Sequence, residues 1–438
     1  MSTRRVAVVG GGVAGISAAL ASSYQGAETI LLESSKRIGV SKALMPHLIS
    51  DAWTEEDLVL PDAGRLAGAG IDARPGECVT SIRRRGGELR VETTGHGAGQ
   101  VFDSIVLCTG SVPQPPQLRG LSKANVFVLK EAADYVKLST ALDSLAVVAV
   151  SGPVPLALSL GEVLAKRGKN VRVYCGRDGL ERQFSAPVAA AIRRQVSSGR
   201  KAERVLIVDG SLDSILGVAR AEAVVSGGSV STCDAVVVVP RGAPSIPPVD
   251  CEKGRDGGLL VDARMSTTQT GVFAAGDSAE IRFKSASVPA RLYSTSRMGG
   301  VVAGTNAAGG SAFATPSWAV AQAYFGLEFC SAGLREEEAS GIGLEAATET
   351  GSVTNLERGA KRETFVSLVY DLATHQVYGV QVAGWRASSL SAAASLIVSL
   401  GVTVEQLQHV ESPYSPGSGY EVSPIALTAG KIRRPEGA

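Results

Sequence analysis

The sequence predicts an α/β protein with two similar strand–turn–helix–strand units and a C-terminal α+β part. Composition fits this class, because 51 glycines and 5% aromatic residues in 438 residues suit many tight turns between strands and helices. The plan of "RRVAVVGGGVAGISAALASSYQGAETILLES" returns in "LAVVAVSGPVPLALSLGEVLAKRGKNVRVYCG", from Leu145 onward. This internal duplication of a βαβ unit is the main sign of how the chain is organised.

The first unit contains a G-x-G-x-x-G turn between a strand at residues 6–9 and a helix predicted over 13–23. Gly10 permits the tight turn, Gly12 lets a pyrophosphate approach the backbone, and Gly15 lets the helix pack closely on the sheet. The free N–H groups at the helix start, including those of Val13 and Ala14, stabilise phosphate charge. The turn therefore predicts a Rossmann-like dinucleotide-binding domain.

Glu33 supports nucleotide binding, and two further segments indicate which dinucleotide binds. Glu33 closes the second strand, where a carboxylate can hold ribose hydroxyls. The strand in "FDSIVLCTG" ends at Thr109 and Gly110, and "TTQTGVFAAGD" brings a Gly276–Asp277 turn to another strand end. Such a turn offers an amide and a carboxylate to a polyol, which suits the ribityl chain of a flavin. The predicted cofactor is FAD.

The chain is predicted to divide into three domains. "SVPQPPQLRG" carries three prolines, which stop regular structure and suggest a boundary. From about Ala319 two strand-like runs and a helix follow, without a nucleotide signature. We expect an FAD-binding domain at 1–112 and 245–318, an NAD(P)-binding-like domain at 113–244, and a dimerisation domain at 319–438.

Charge and composition argue against several classes of partner. With 43 basic and 42 acidic residues, no broad basic field serves nucleic acid or anionic lipid. No apolar run reaches the roughly 18 residues that span a membrane, and no signal peptide fits, so a cytoplasmic protein is expected. The six cysteines and four histidines lack metal-site spacing, and we expect the cysteines to be buried thiols.

The chain resembles the FAD-dependent pyridine nucleotide-disulfide oxidoreductases, and within them the coenzyme A disulfide reductases and NADH oxidases. The resemblance covers nearly the whole chain. It rests on "VAVVGGGVAGISAAL", "IVLCTG", "TTQTGVFAAGD", "GGVVAGTNAAG" and "SPYSPGSGY", among other segments. It implies an FAD domain, an inserted NAD(P) domain and a C-terminal domain that forms a homodimer.

The resemblance also assigns roles by matching position. Glu33 would hold the adenosine ribose, and Val79 would flank the adenine through its backbone. Thr109 and Gly110 would lie close to FAD, with Asp277 on the ribityl chain. The helix start at Leu292 and Tyr293 would direct its dipole at the flavin pyrimidine.

The first departure from the family is the redox cysteine, which is replaced by Ala43 in the matching run 41–47. Pro46 anchors this match. Alanine cannot form a thiolate or a mixed disulfide, so the usual disulfide chemistry cannot run. Lys42 would place positive charge at the flavin edge or be solvated, and His47 would donate a proton near the flavin or only pack beside it. Cys108 is the nearest candidate for a replacement thiol, but it lies in a buried strand run.

The second departure lies in the inserted domain. Of its glycine turn only Gly152 remains; Val154 is branched, and Pro153 and Pro155 remove two N–H donors. Cys175 stands where an acid would hold the NAD ribose. Arg177, which follows, could meet a 2′-phosphate. Binding of NAD(P)H is therefore expected to be impaired or altered.

Three functions remain open at this stage. The first is an FAD-dependent oxidoreductase that passes electrons from the flavin to oxygen, a quinone or a protein acceptor. The second is a non-catalytic FAD-binding sensor or complex subunit. The third is a coenzyme A disulfide or persulfide reductase that uses another thiol. Tyr414 and Tyr420 would reach the partner subunit's active site or fill the dimer interface.

Overall fold

The computed structural model describes residues 3–50, 52–95, 99–176, 179–198, 204–284, 286–357, 360–412 and 422–433. The chain forms two compact units. Unit 1 comprises Met1–Met45, Thr54–Gln114 and Gly242–Trp318, and unit 2 comprises Pro46–Trp53, Pro115–Arg241 and Ala319–Ala438. The three-domain boundaries given above stay a prediction.

Strands outnumber α-helices among the described residues. The strands are β1 (Arg5–Val9), β2 (Glu28–Glu33), β3 (Asp72–Pro75), β4 (Val79–Arg85), β5 (Glu88–Thr93), β6 (Gln100–Phe102), β7 (Ser104–Leu107), β8 (Ser111–Pro113), β9 (Val126–Val128), β10 (Val147–Ser151), β11 (Asn170–Tyr174), β12 (Val205–Val208), β13 (Ser214–Leu216), β14 (Ala223–Ser226), β15 (Ser229–Thr232), β16 (Ala235–Val238), β17 (Gly242–Pro244), β18 (Leu259–Val261), β19 (Val272–Ala274), β20 (Ala279–Phe283), β21 (Ala286–Pro289), β22 (Val320–Tyr324), β23 (Leu327–Gly333), β24 (Ala346–Glu357), β25 (Ala360–Asp371) and β26 (Val377–Gly384). The helices are α1 (Val13–Tyr24), α2 (Ala132–Ala141), α3 (Val154–Lys166), α4 (Ala186–Ser198), α5 (Tyr293–Ala307), α6 (Glu336–Gly341), α7 (Ser391–Ser399), α8 (Val404–Gln408) and α9 (Pro424–Ala429).

Unit 1 is built on a parallel sheet in the order β19-β7-β1-β2-β3. Its apolar strands are buried because both faces of a parallel sheet are covered. Val9 at the end of β1 lies opposite Leu32 of β2 and Leu107 of β7. The carboxyl ends of these three strands therefore meet at one edge, where the glycine turn, Glu33 and the segment after β7 come together.

Helices α1 and α5 pack closely in unit 1 through glycines spaced one helical turn apart. A Cβ on Gly300 would lie 2.2 Å from the carbonyl oxygen of Ala14, and a Cβ on Gly304 would lie 2.1 Å from that of Ala18. Residues four apart share one helix face, so these glycines allow the two backbones to touch. This contact explains Gly300 and Gly304 in "GGVVAGTNAAG".

Unit 2 contains a second parallel sheet, in the order β12-β11-β10-β16-β9, and an antiparallel sheet in the order β22-β23-β26-β25-β24. The parallel sheet confirms the predicted second βαβ unit, with α3 between β10 and β11. The antiparallel sheet and helices α6–α9 form the C-terminal α+β part, so the predicted fold class is confirmed. Among the described residues, no helix combines the length and apolar character needed to cross a bilayer.

Candidate functional site

The three glycines of the first turn differ in the space available around their Cβ positions. Gly10 has φ +104°, and a Cβ there would lie 2.3 Å from the carbonyl oxygen of Cys108. A Cβ on Gly15 would lie 1.8 Å from the carbonyl oxygen of Gly10. A Cβ on Gly12 would have no atom within 4 Å. Gly10 and Gly15 are thus required by the fold, whereas Gly12 borders open space.

That open space lies at the start of α1. The amide of Ile16 donates to the carbonyl of Gly12 at 2.9 Å, so the amides of Val13, Ala14 and Gly15 precede the first hydrogen bond inside the helix. Amides in this position attract anions, because the helix dipole is positive at its N-terminus. The turn therefore fits a phosphate group.

Two backbone amides, one in the first glycine turn and one just after β2, orient the Glu33 carboxylate. Its Oε2 accepts a hydrogen bond from the amide of Gly11 at 2.6 Å, and its Oε1 accepts one from the amide of Ser35 at 2.7 Å. The half-buried carboxylate is thereby fixed at the end of β2, beside α1. Val79, the first residue of β4, is half-buried in the same unit.

The segment after β7 leaves a buried hydroxyl without a partner. No hydrogen bond reaches Thr109 Oγ1 within the described part of the chain. A Cβ on Gly110, which has φ +69°, would meet nothing within 4 Å. An unsatisfied buried hydroxyl next to free space is the expected sign of a ligand site. Together with Gly12, these residues fit an extended dinucleotide such as FAD.

Asp277 lies beside the same segment. Its Oδ2 accepts a hydrogen bond from Ser111 Oγ at 2.6 Å. Gly276, at φ +73°, opens the short 3-10 helix that carries Asp277, and Leu292 caps the start of α5 at Tyr293. Sequence reasoning missed Ser111; its only signal was its place directly after the Thr–Gly turn.

Lys42 and Ala43 are exposed at the start of a 3-10 helix that spans Lys42–Ile49. Lys42 Nζ donates to the carbonyl oxygen of Ser111 at 2.7 Å. The ammonium is therefore anchored to the backbone next to Asp277 rather than free in solvent.

Pro46 and His47 belong to unit 2, where Pro46 is buried and His47 is exposed. The His47 ring stacks on the indole of Trp53, with centroids 4.6 Å apart and an interplanar angle of 21°. This aromatic partner was not recognised from the sequence.

The cysteines are less uniformly buried than expected. Cys78 is exposed and Cys251 is half-buried, because both lie in segments between strands. Burial raises the pKa of Cys108, Cys175 and Cys330 to about 12, and that of Cys233 to about 11. These four thiols are protonated at neutral pH, so Cys108 does not supply a thiolate.

The inserted glycine turn differs from the first. A Cβ on Gly152 would lie 2.7 Å from Val239 Cβ, so packing requires this glycine. Helix α3 begins at Val154 after the cap residue Pro153, and Val154 is buried. Because Pro153 and Pro155 lack an N–H, the start of α3 offers fewer amides than the start of α1. The position of Gly152 thus reflects the fold, and the turn is poorer in anion donors.

Charged groups cluster near the end of the same sheet. Cys175 directly follows β11 and is buried. Arg193 forms ion pairs with Asp209 at 2.7 Å and with Glu181 at 3.3 Å. Arg177, Tyr414 and Tyr420 lie outside the described residues.

A groove of about 270 Å³ on unit 1 carries two arginines. Asp62 accepts hydrogen bonds from Arg297 and from Arg65, and Arg65 also donates to the Tyr24 hydroxyl at 2.9 Å. The guanidinium of Arg297, and then that of Arg65, hold the pKa of the Asp62 carboxyl below its usual range. Two cations therefore share one ionised carboxylate. The groove is lined by Ser17, Leu20, Ala21, Tyr24, Gln25, Asp62, Arg65, Arg297, Val301 and Thr305.

Comparison with known proteins gives the family. The family model "Pyridine nucleotide-disulphide oxidoreductase" matches residues 4–299, and that of the family's dimerisation domain matches residues 320–418. A CoA-dependent NAD(P)H sulfur oxidoreductase from Pyrococcus furiosus is 25% identical over 98% of this chain and 99% of its own. An NADH oxidase from Methanocaldococcus jannaschii is 24% identical over 97% of this chain and 98% of its own.

Solved structures show the same fold. A water-forming NADH oxidase from Lactobacillus brevis superposes with a TM-score of 0.85 at 17% identity, covering 98% of both chains. A NAD-dependent persulfide reductase from A. fulgidus gives a TM-score of 0.84 at 21% identity, covering 98% of this chain and 82% of its own. The chain belongs to the pyridine nucleotide-disulphide oxidoreductase family and is an FAD-dependent oxidoreductase.

Proposed function

We propose that this protein oxidises NAD(P)H and transfers two electrons to a small-molecule or protein acceptor without a redox cysteine. The overall reaction is NAD(P)H + H⁺ + acceptor → NAD(P)⁺ + reduced acceptor. The observation that carries this proposal is Ala43, which the match of residues 41–47 to the family pattern assigns to the cysteine position. The protonated state of the buried thiols, Cys108 among them, supports it, because neither a side chain of alanine nor a neutral thiol exchanges disulfides.

FAD supplies two-electron transfer when it is bound. The amides of Val13, Ala14 and Gly15 would hold its diphosphate. Gly10 and Gly12, which lack side chains, would let the diphosphate come close to the backbone. Glu33 would hold the adenosine ribose, and the backbone of Val79 would flank the adenine.

Three further elements would position the flavin end. Thr109 Oγ1 offers an unused hydrogen-bonding group beside Gly110. Asp277, oriented by Ser111, would accept from the ribityl hydroxyls after the turn at Gly276. The N-terminus of α5, at Leu292 and Tyr293, would stabilise negative charge on the reduced pyrimidine ring.

The nicotinamide cofactor would enter the inserted part of the chain. The names of the relatives support NAD(P)H as donor. Pro153 and Pro155 remove amides from the start of α3, so we expect weaker binding of the dinucleotide phosphates there than on a turn with all its amides. Gly152 would contribute to binding of the dinucleotide only because it has no side chain.

The active protein is proposed to be a homodimer. The dimerisation-domain model that matches residues 320–418 supports this. So do exposed apolar side chains on the C-terminal part of unit 2: Leu396 and Leu400 are 58% and 72% exposed, and Leu427 is 45% exposed.

A second candidate is reduction of coenzyme A disulfide or persulfide. The groove with Arg65 and Arg297 favours it, because guanidinium groups suit phosphates and the Pyrococcus furiosus relative is CoA-dependent by name. This route needs a thiolate near the flavin. Cys78, the exposed thiol, lies next to Val79, on the side assigned to adenine, so it does not meet that need. A non-catalytic flavin sensor is the remaining alternative.

Mixing the purified yellow protein anaerobically with NADH, and separately with NADPH, tests the proposal. We expect the absorbance of oxidised flavin to disappear with at least one nucleotide and to return when oxygen or a quinone is added. Dithionite serves as the control that the bound flavin is reducible. Colour that persists with both nucleotides while dithionite removes it would favour the sensor instead.

A further inference from the structure

We propose that Lys42 is a specificity-determining residue that binds the oxyanion of an acidic electron acceptor, such as a sulfonated or carboxylated quinone. This inference rests on the proposed function, since it names the substrate class of the same site. Lys42 neighbours Ala43, the position from which the family's thiol is missing.

The ammonium of Lys42 has unused hydrogen-bonding capacity. Within the described part of the chain, its Nζ donates one hydrogen bond, to the carbonyl oxygen of Ser111 at 2.7 Å, and an ammonium carries three N–H donors. The side chain is exposed. No carboxylate of the described residues forms an ion pair with Nζ. An exposed cation with unused donors and no ion-pair partner among the described residues is suited to an incoming anion.

Ser111 determines where this charge is held. It is the first residue of β8 and lies opposite Pro244 of β17, so its backbone belongs to a two-stranded sheet. Its hydroxyl donates to Asp277 Oδ2 at 2.6 Å. One residue thereby holds the lysine through its carbonyl and the proposed ribityl-binding acid through its hydroxyl. The ammonium is thereby hydrogen-bonded to the same residue that orients Asp277.

The surroundings of Lys42 favour binding of a bulky anionic acceptor over binding of oxygen. Ala43 is exposed and small, which leaves room beside the ammonium. Molecular oxygen is neutral, so the charge of Lys42 contributes little to its binding. An oxyanion is attracted to the ammonium as it approaches and then accepts a charge-assisted hydrogen bond from it. With a quinone sulfonate the reaction is NAD(P)H + H⁺ + quinone → NAD(P)⁺ + hydroquinone, and the sulfonate is unchanged.

Calorimetric titration of the oxidised holoprotein with anthraquinone-2-sulfonate tests the inference without turnover. The neutral probe is 2-(hydroxymethyl)anthraquinone. The variants are Lys42→Met and, as a matched control, Lys253→Met, which removes another exposed lysine of unit 1. We expect Lys42→Met to weaken sulfonate binding roughly threefold to tenfold at low salt, and Lys253→Met to change it less than twofold.

The two probes and two variants give distinct outcomes. Loss of sulfonate affinity in Lys42→Met alone, with the neutral probe unaffected, supports the inference, and added salt should reduce the difference. Equal sulfonate affinity in wild type and Lys42→Met, or an equal loss in Lys253→Met, would overturn it. Because the titration needs no electron transfer, a protein that shows the expected binding but no reduction by NADH or NADPH refutes the proposed function only.

Discussion

Replacement of Gly10 by alanine should lower the free energy of unfolding by about 3 kcal/mol or more. Two effects combine. The residue has φ +104°, which alanine rarely adopts, and the added methyl would lie 2.3 Å from the carbonyl oxygen of Cys108. A backbone carbonyl in a buried sheet cannot move aside easily, so either β7 or the start of α1 must shift. Urea unfolding of the flavin-free and flavin-bound proteins, followed by circular dichroism, measures the loss.

The matched control is Gly26→Ala. Gly26 also has a positive φ, +84°, but a methyl there would meet no atom within 4 Å. Gly26→Ala should lower the free energy of unfolding by only about 1 kcal/mol, which is the penalty of the backbone conformation alone. If Gly10→Ala were no less stable than Gly26→Ala, the close approach between the first turn and the segment after β7 would be wrong.

Replacement of Gly12 by valine should separate folding from flavin binding. The Cβ position faces open space and φ is −77°, so the fold should lose no more than about 1 kcal/mol. The side chain would occupy the space proposed for the diphosphate, and we expect FAD affinity to fall by about 100-fold or more, the effect of roughly 3 kcal/mol. The protein should be obtained folded but largely colourless.

Equilibrium titration of the flavin-free variant with FAD, read by the quenching of flavin fluorescence, checks this expectation. Gly64→Val is the control, because Gly64 also borders open space in unit 1 but belongs to the 3-10 helix Pro61–Arg65 and not to the glycine turn. It should bind FAD as wild type does. A Gly12→Val protein that stays yellow would show that the diphosphate does not rest on α1.

Features encoded by short spacings were the ones that sequence reasoning could find. The first glycine turn, Glu33 and the start of α5 each depend on a strand or helix whose period is visible in a few residues. The structure adds their physical reasons. At Gly10 and Gly15 a side chain would collide with backbone atoms, so the fold requires glycine there. At Gly12 a Cβ would contact no atom within 4 Å.

Contacts between distant segments were not predictable in the same way. The Ser111–Asp277 hydrogen bond joins residues 166 apart, and the Asp62–Arg297 pair joins residues 235 apart. Both depend on the order of strands in unit 1, which no local pattern reports. The exposure of Cys78 was missed for a related reason: a cysteine is usually buried, and only the position of the loop before β4 shows otherwise.

We propose that this oxidoreductase stores electrons on its flavin alone and uses no cysteine as a second redox centre. Anaerobic titration of the oxidised holoprotein with dithionite counts the electrons taken up per bound FAD, and it requires neither a known donor nor a known acceptor. We predict an end point at two electrons, since Ala43 has no sulfur and the six cysteines are free thiols, which are already reduced. An end point at four electrons would reveal a reducible sulfur that works with the flavin and would contradict it.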